Sequence, residues 1–203
     1  MVTLPLFETT FEPRSLVVDP PMTDAELEEM CLRSETVQIE RTSEGVIRLK
    51  PLEGASTSCA NSEISFQLGD WWHRHRRGRS FGSCAGFFLA DGSLLSPDAA
   101  YVLPEQLKGL TKADLARMPR LCPAFVVELL SQSDSLVETR KKMECWVANG
   151  ARLAWLVDPY RQCVEVYAQG TAAVTVSSAL VHGFGPVEGF ELDAASVWSC
   201  FEV

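Results

Sequence analysis

The chain has 203 residues, of which 46% are hydrophobic and 22% are charged, and this composition excludes a disordered or collagen-like protein. Its length suits one sizeable domain. The formal net charge of −9 argues against constitutive tight binding to nucleic acid, which relies on clustered lysine and arginine. Most of the acidic excess falls in residues 1–44, which hold ten acidic and three basic residues, whereas residues 45–203 hold 17 acidic and 15 basic residues.

The cysteines and the N-terminus indicate the compartment. The seven cysteines are evenly spread and include no CxxC pair, so we expect neither a disulfide framework nor a structural zinc site. Reduced thiols favour a cytoplasmic location. The N-terminus lacks a basic segment followed by an apolar run, and no stretch of about 18 apolar residues occurs. We therefore expect no secretory signal and no association with a membrane.

The chain is predicted to begin with an arm. Residues 1–21 contain four of the eleven prolines and form this N-terminal arm, and residues 22–203 are predicted to form a single domain. Thr23, followed three residues later by Glu26, is a capping box, which predicts a helix that runs to about Arg33.

A hairpin and a long helix are predicted next. Segments 37–41 and 46–50 flank a Thr-Ser-Glu-Gly turn, which indicates two antiparallel strands. A helix is predicted over residues 59–77, with Gly78 ending it. Its apolar positions recur at helical spacing: Ile64, Leu68, Trp71 and Trp72.

The centre of the chain is predicted to hold short strands. Residues 87–89 and 99–103 fit strands, and residues 112–117 fit a helical turn. Residues 125–130 form an apolar run between a proline and a serine, which indicates a strand buried on both faces.

The last third of the chain returns to a helix and strands. A helix capped by Ser133 or Ser135 and stopped by Gly150 is predicted, followed by a buried strand over residues 153–157. The remaining predicted elements are a hairpin of residues 162–168 and 173–176 and a final turn capped by Asp193. This order predicts an α/β (α+β) fold, a mixed β-sheet flanked by helices.

A carboxylate inside a buried strand indicates chemistry. Glu128 lies in the middle of the run Phe-Val-Val-Glu-Leu-Leu, where an unpaired charge is energetically costly unless it binds a metal or a partner. Buried acids of this kind are often functional. Two structural alternatives stay open, namely that Glu128 reaches water at a strand end or forms a buried ion pair.

Two further residues could join Glu128. Asp98 follows Ser-Pro at the mouth of another predicted strand, and adjacent strands could bring both carboxylates within reach of one hard cation such as Mg²⁺. Asp98 also fits an ordinary turn residue after a proline. On the following helix, Lys142 falls on the flank of the apolar face and can reach back to the sheet, whereas Lys141 points to solvent.

These residues resemble a known family. The matching segments are Ser-Pro-Asp98, Phe-Val-Val-Glu128-Leu-Leu-Ser131 and the run from Lys142 to Pro159. They are similar to the Uma-type endonuclease family of the PD-(D/E)XK (restriction-endonuclease-like) superfamily. The hairpin that contains Glu40 and Gly45 resembles the family's early hairpin. The resemblance covers about residues 22–200 and leaves the arm outside.

The chain departs from the superfamily pattern in two places. The usual E-x-K motif places lysine where this chain has Leu130, but the Uma-type family is similar in taking a lysine from the next helix, here Lys142. The first long helix often carries a histidine in this family, and Asn61 stands there instead. Glu63, on the flank of the same helix, is a candidate extra carboxylate.

The resemblance implies a restriction-endonuclease-like fold and a metal-dependent endodeoxyribonuclease that hydrolyses phosphodiester bonds in DNA. It implies that Asp98, Glu128 and the backbone carbonyl of Leu129 bind Mg²⁺, with Mn²⁺ as an alternative ion. Lys142 is expected to orient the attacking water and to offset charge in the transition state. Transient contact with DNA and a homodimer are expected as well.

Other functions stay open. The chief alternative is a catalytically degenerate module that keeps the nuclease fold and acts in binding or assembly. A second is a metal-dependent hydrolase of another phosphate ester. The basic run of residues 73–79 could contact phosphates or could be a solvated helix end that complements the helix dipole.

Overall fold

A computed structural model describes residues 14–35, 37–50 and 52–202. One of its sheets is antiparallel throughout and includes the predicted hairpin. Its strands are β1 (Arg14–Leu16), β2 (Gln38–Arg41), β3 (Ile47–Lys50), β5 (Phe87–Phe88) and β6 (Leu94–Leu95). Their spatial order is β1-β3-β2-β6-β5. The described end of the N-terminal arm therefore adds an edge strand to this sheet.

A mixed sheet forms the centre of the molecule. Its strands are β4 (Arg79–Gly82), β7 (Ala99–Val102), β8 (Phe125–Leu129), β9 (Leu153–Asp158), β10 (Cys163–Ala168) and β11 (Val174–Val176). The spatial order is β11-β10-β9-β8-β7-β4, and only the β8–β9 pair is parallel. A crossover helix joins those two strands, as parallel pairing requires.

The remaining elements are helices and one small two-stranded sheet. The helices are α1 (Asp24–Arg33), α2 (Ala55–His75), α3 (Pro104–Leu107), α4 (Lys112–Leu115), the crossover helix α5 (Leu136–Ala148) and α6 (Ala194–Ser199). Strands β12 (Leu180–His182) and β13 (Glu191–Asp193) pair antiparallel. No helix in the described ranges has the length and apolar character needed to cross a bilayer.

Side-chain alternation along β8 contributes to the hydrophobic cores on both faces of the mixed sheet. Phe125, Val127 and Leu129 pack with α2 and α6 on one face of the mixed sheet. Val126 faces the opposite way and packs with α5. Because successive strand residues point to opposite faces, Glu128 must lie on the α5 face with Val126. The Glu128 carboxylate therefore lies against α5, the helix that carries Lys142.

The main predicted elements are confirmed. Thr23 caps α1 through the predicted capping box, and the predicted hairpin pairs antiparallel as β2 and β3. All five residues of β8 are buried, as the apolar run indicated. Ser135, rather than Ser133, caps α5, and Gly150 follows that helix with φ +115°. The mixed sheet flanked by helices is the predicted fold.

Several boundaries and short elements differ from the prediction. Helix α2 begins at Ala55 rather than at residue 59. The prediction began too late because the first turn of the helix is largely exposed and carries no apolar periodicity. It ends at His75, since Arg76 adopts the left-handed conformation with φ +54° before Gly78 is reached. Five strands were not predicted (β1, β4, β6, β12 and β13), because each has only two to four residues and no full period-two pattern.

Candidate active site

Glu128 is the buried centre of the candidate site. It is only 2% exposed. Its Oε1 accepts a hydrogen bond from Nε1 of Trp146 at 2.8 Å, and its Oε2 accepts one from Nζ of Lys142 at 3.0 Å. Both donors lie on α5, four residues apart, and therefore on one side of that helix. The strand-end alternative for Glu128 is wrong, because the side chain does not reach open solvent.

Lys142 lies within a cage of three acceptors. Its Nζ donates to Oε1 of Glu40 at 2.8 Å, to the carbonyl of Ser96 at 2.9 Å and to Glu128. The side chain is 9% exposed. Lys141 lies on the exposed side of α5 and pairs with Glu138, as the helix geometry predicted. The structure thus brings Lys142 to Glu128.

Asp98 is fixed beside Glu128 by the backbone of β8. Its amide N–H donates to the carbonyl of Val127 at 2.9 Å, and its Oδ2 accepts from the amide N–H of Leu129 at 2.6 Å. The residue is 6% exposed. The antiparallel pairing of β7 with β8, in which Ala99 lies opposite Val127, produces this placement. The structure therefore brings together all three predicted site residues, and their catalytic roles stay predictions.

Glu40 is a member of the cluster whose role the sequence left open. It lies on β2 and is 2% exposed. One carboxylate oxygen accepts from both the amide N–H of Ser96 and the ammonium of Lys142, each at 2.8 Å. The antiparallel sheet that contains β2 therefore contributes a carboxylate to the site on the mixed sheet. The resemblance of the Glu40 hairpin to the family's early hairpin was the sequence signal for this residue.

Lys50 is a second ammonium beside these acids, and sequence reasoning missed it. It is the last residue of β3 and is half-buried. Burial opposes its charged form, but the nearby Glu40, Asp98 and Glu128 carboxylates raise the pKa of Lys50 above its usual range. A lysine at the end of a short strand carries no sequence signal of its own, because most such lysines are solvated.

Burial acts on every acid of this cluster, against the neighbouring ammonium groups. It raises the pKa of Glu128 to about 7, against the attraction of Lys142 and Lys50. It also raises the pKa of Asp98, again opposed by Lys50. Burial acts in the same direction on Glu40, but the two ammonium groups and the hydrogen bonds outweigh it, so the pKa of Glu40 is lowered. Neighbouring acids whose pKa values are shifted in opposite directions are typical of functional sites.

An open groove of about 520 Å³ lies close to the carboxylates. Its lining includes Glu53 and Asn61 on one side and Gly82 to Ala85 on the other. Nδ2 of Asn61 donates to Oε2 of Glu53 at 2.7 Å, while its Oδ1 is buried without a hydrogen-bond partner in the described part of the chain. The Glu53 charge contributes to the raised pKa of Asp98, so the groove and the acid cluster are neighbours.

Other candidate features lie away from the cluster. Glu63 accepts from Gln67, which also bonds the backbone of β13, so Glu63 belongs to a structural contact. The basic run at the end of α2 enters β4, where Arg79 lies opposite Val102. That is the far end of β7 from Asp98. Trp71 is buried against Tyr101 and Phe190, as expected for a core residue.

The donor set fits a divalent cation bound by oxygen. Mg²⁺ is commonly held by one or two carboxylates together with waters and substrate phosphates, and Asp98 and Glu128 offer such a pair. When all three are ionised, the carboxylates of Glu40, Asp98 and Glu128 outnumber the ammonium groups of Lys50 and Lys142 by one, which leaves one negative charge for a cation to offset. Within the ranges described, no three His, Cys, Asp or Glu side chains are arranged to hold a metal. A cation there would thus depend on water and substrate for its other ligands.

Comparison with known proteins gives the family of the chain. A profile of the Uma2 family, described as "Putative restriction endonuclease", matches residues 24–195. The chain belongs to the Uma2 family. The resemblance noted from the sequence is confirmed, and membership supports a nuclease class of function.

One solved structure shows the same fold. It is the crystal structure of a "putative nuclease belonging to DUF820" from Anabaena variabilis, with a TM-score of 0.74 and 22% sequence identity. The match covers 86% of this chain and 97% of that one. No curated protein matches the chain. At this identity the similarity establishes the nuclease-like fold alone and does not identify the reaction.

Proposed function

We propose that this Uma2 protein is a Mg²⁺-dependent endonuclease that hydrolyses phosphodiester bonds in DNA. The observation that carries the proposal is the convergence of Asp98, Glu128 and Lys142 in one buried cluster. Two carboxylates on adjacent strands and an ammonium from the next helix are the groups that phosphoryl chemistry needs to bind a cation and to offset charge. Mn²⁺ is an alternative ion for the same oxygen ligands.

Asp98 and Glu128, with the backbone carbonyl of Leu129, are the proposed metal ligands. A bound ion supplies a Lewis acid for the scissile phosphate and a lower pKa for a bound water. Asp98 is held in place by the Leu129 amide, and Glu128 by the indole of Trp146. These hydrogen bonds fix both carboxylates before substrate arrives, so little reorganisation is needed.

Lys142 is the proposed catalytic cation. Its positive charge lies against Glu128 and offsets the negative charge that burial makes costly. Its three N–H groups are all taken by protein acceptors. The water-orienting role predicted for Lys142 therefore requires the exchange of one of these hydrogen bonds, whereas its electrostatic role requires no rearrangement.

The proposal is tested by Mg²⁺-dependent cleavage of supercoiled and linear duplex DNA. We expect cleavage by the wild-type protein, and its loss in Asp98→Asn and Glu128→Gln, which change charge but hardly change shape. Glu105→Gln, an exposed acid paired only loosely with Arg152, is the matched control and should cleave normally. Undiminished cleavage in both site variants would remove the assignment.

A degenerate module that binds DNA or another macromolecule is the second candidate. It is favoured by one observation, that both oxygens of Glu128 already accept hydrogen bonds from α5. Calorimetry with Mn²⁺ separates the two, because a nuclease should lose binding in Asp98→Asn and Glu128→Gln, whereas a degenerate module binds no ion there. Assays on single-stranded, nicked and duplex DNA, alongside simple phosphodiesters, distinguish a hydrolase of another phosphate ester.

Transient DNA contact, a homodimer and a cytoplasmic location remain predictions. The arginines and lysines of α5 are largely paired with acids, with Arg140 on Glu165 and Lys141 on Glu138. Charges that are already paired with acids neutralise few DNA phosphates, so few counterions are released and the contact is expected to be weak. Light scattering on the purified protein tests the dimer, which would supply two active sites for duplex cleavage.

A further inference from the structure

The two lysines beside the buried carboxylates differ in what their N–H groups contact. A lysine ammonium has three donors and no acceptor. The three donors of Lys142 are taken by Glu40, Glu128 and the carbonyl of Ser96. Lys142 consequently has no free N–H for a phosphate oxygen while this arrangement lasts.

Lys50 is in the opposite situation. In residues 14–35, 37–50 and 52–202, no side chain or carbonyl accepts a hydrogen bond from the Lys50 ammonium, and no carboxylate pairs with it directly. The charges of Glu40, Asp98 and Glu128 nevertheless act on it. Lys50 is half-buried. Because no acceptor in those ranges takes them, its N–H groups can donate to water or to an anion.

The register of the hairpin gives the position of Lys50. Lys50 lies opposite Gln38, and Arg48 lies opposite Glu40, so these four side chains share one face of the β2–β3 pair. On that face Glu40 contacts Lys142, and Arg48 donates to Glu138 at 2.7 Å, both on α5. The face therefore turns toward the acid cluster, and Lys50 lies at one end of it.

The same end of the hairpin meets the groove. Gln38, the cross-strand neighbour of Lys50, donates from Nε2 to the carbonyl of Ser83 at 2.7 Å. Ser83 lines the groove together with Glu53, whose charge acts on Asp98. The β2–β3 pair thus links the wall of the groove, through Gln38, to the acid cluster, through Glu40, and Lys50 lies opposite Gln38 in that pair.

We propose that Lys50, rather than Lys142 with its three occupied donors, contacts a phosphate of nucleic acid bound in this groove. The proposal rests on the proposed nuclease function for the class of substrate. A phosphate approaching Asp98 is repelled by three carboxylates, and an ammonium with free N–H groups at the mouth of the cluster offsets that repulsion. Lysine serves as a compact point charge for phosphate in such sites.

The test measures DNA binding without any metal. Fluorescence anisotropy of a labelled duplex is recorded in EDTA over a range of salt concentrations. The slope of log K against log salt is negative, and each phosphate contact that is lost lowers its magnitude by about 0.9. We expect this decrease in Lys50→Gln, an unchanged slope in Lys142→Gln, and a retained slope in Lys50→Arg, which keeps the charge.

A control variant excludes a general effect of net charge. Lys108→Gln removes one exposed positive charge just after α3, at the end of β7 remote from Asp98, and should leave the slope unchanged. Thermal melts followed by circular dichroism confirm that each variant is folded. An unchanged slope in folded Lys50→Gln, or a decrease in Lys142→Gln in its place, would overturn the proposal.

Cleavage assays separate this proposal from the nuclease function. If the wild-type protein cleaves with Mg²⁺, Lys50→Gln should lower the cleavage rate about 10²-fold, the cost typical of removing one charge-stabilising group. A Lys50-dependent slope without any wild-type cleavage would support the phosphate contact and reject the nuclease. Wild-type cleavage with a Lys50→Gln slope equal to that of wild type would reject the phosphate contact alone.

Discussion

The indole N–H of Trp146 donates to Oε1 of Glu128 at 2.8 Å, and both side chains are buried between α5 and β8. The contact joins the helix to the strand at the site. It also satisfies a carboxylate oxygen that would otherwise lie in an apolar layer, where an unpaired polar group is costly.

Trp146→Phe should weaken both stability and the site. The variant leaves Oε1 of Glu128 without its donor, and a buried group that loses its partner costs about 1–3 kcal/mol of unfolding free energy. We expect a lower melting temperature and slower Mg²⁺-dependent cleavage. The matched control is Trp155→Phe, because Nε1 of Trp155 has no partner among the described residues. Similar loss of cleavage in both variants would show that ring volume, rather than the hydrogen bond, is what the site needs.

Glu40→Gln should destabilise the fold through Lys142. Removing one partner of a buried pair leaves a poorly compensated charge, which costs about 3 kcal/mol at the lower end of the usual range, since Glu128 still faces the ammonium. Chemical denaturation measures the change. Glu138→Gln, which breaks ion pairs more exposed than that of Glu40, should cost less than about 1 kcal/mol. Equal losses in the two variants would contradict the buried pairing of Glu40.

A second test uses both partners of that pair. Glu40→Gln combined with Lys142→Met removes the charge that Glu40→Gln leaves behind. We expect the double variant to lose less stability than the sum of the single variants, because residues in direct contact are not additive. Additive losses would mean that the two side chains act independently.

Acid should weaken the attachment of α5 to β10 through Glu165. Hydrogen bonds from Arg140, chiefly, and from Tyr167 and Arg161 lower the pKa of Glu165 from 4.5 to about 2. A carboxylate whose folded pKa is depressed stabilises the fold fully above its unfolded pKa, and this contribution is lost as the pH falls from about 4.5 toward 2. Denaturation between pH 6 and pH 2 should therefore show a smaller loss for Glu165→Gln than for wild type. An equal loss of unfolding free energy in both proteins over this pH range would contradict the stabilising role of the Glu165 carboxylate.

Much of this architecture could be predicted from the sequence, because the longer helices and strands have strong local signals. The Thr23 capping box, the apolar run of β8 and the helix ending before Gly150 each depend on neighbours in sequence. Strands β12 and β13 escaped prediction because two three-residue strands acquire their identity only by pairing.

The site residues likewise differ in whether they have a local sequence signal. Asp98, Glu128 and Lys142 could be proposed from a buried acid, a strand mouth and a helix face, together with a family resemblance. Lys50 could not, because its importance arises from the register of the hairpin and from carboxylates on β2, just before β7 and on β8. Such contacts between residues distant in sequence leave no periodic trace.

The most direct test of the account is a crystal structure of the protein soaked in Mn²⁺, with the ion located by its anomalous signal. The account predicts a peak bonded to Asp98, Glu128 and the carbonyl of Leu129, with Lys142 still paired to Glu40. A saturating soak that shows no peak at these carboxylates, with Glu128 still bonded only to Trp146 and Lys142, would contradict a metal-dependent nuclease site.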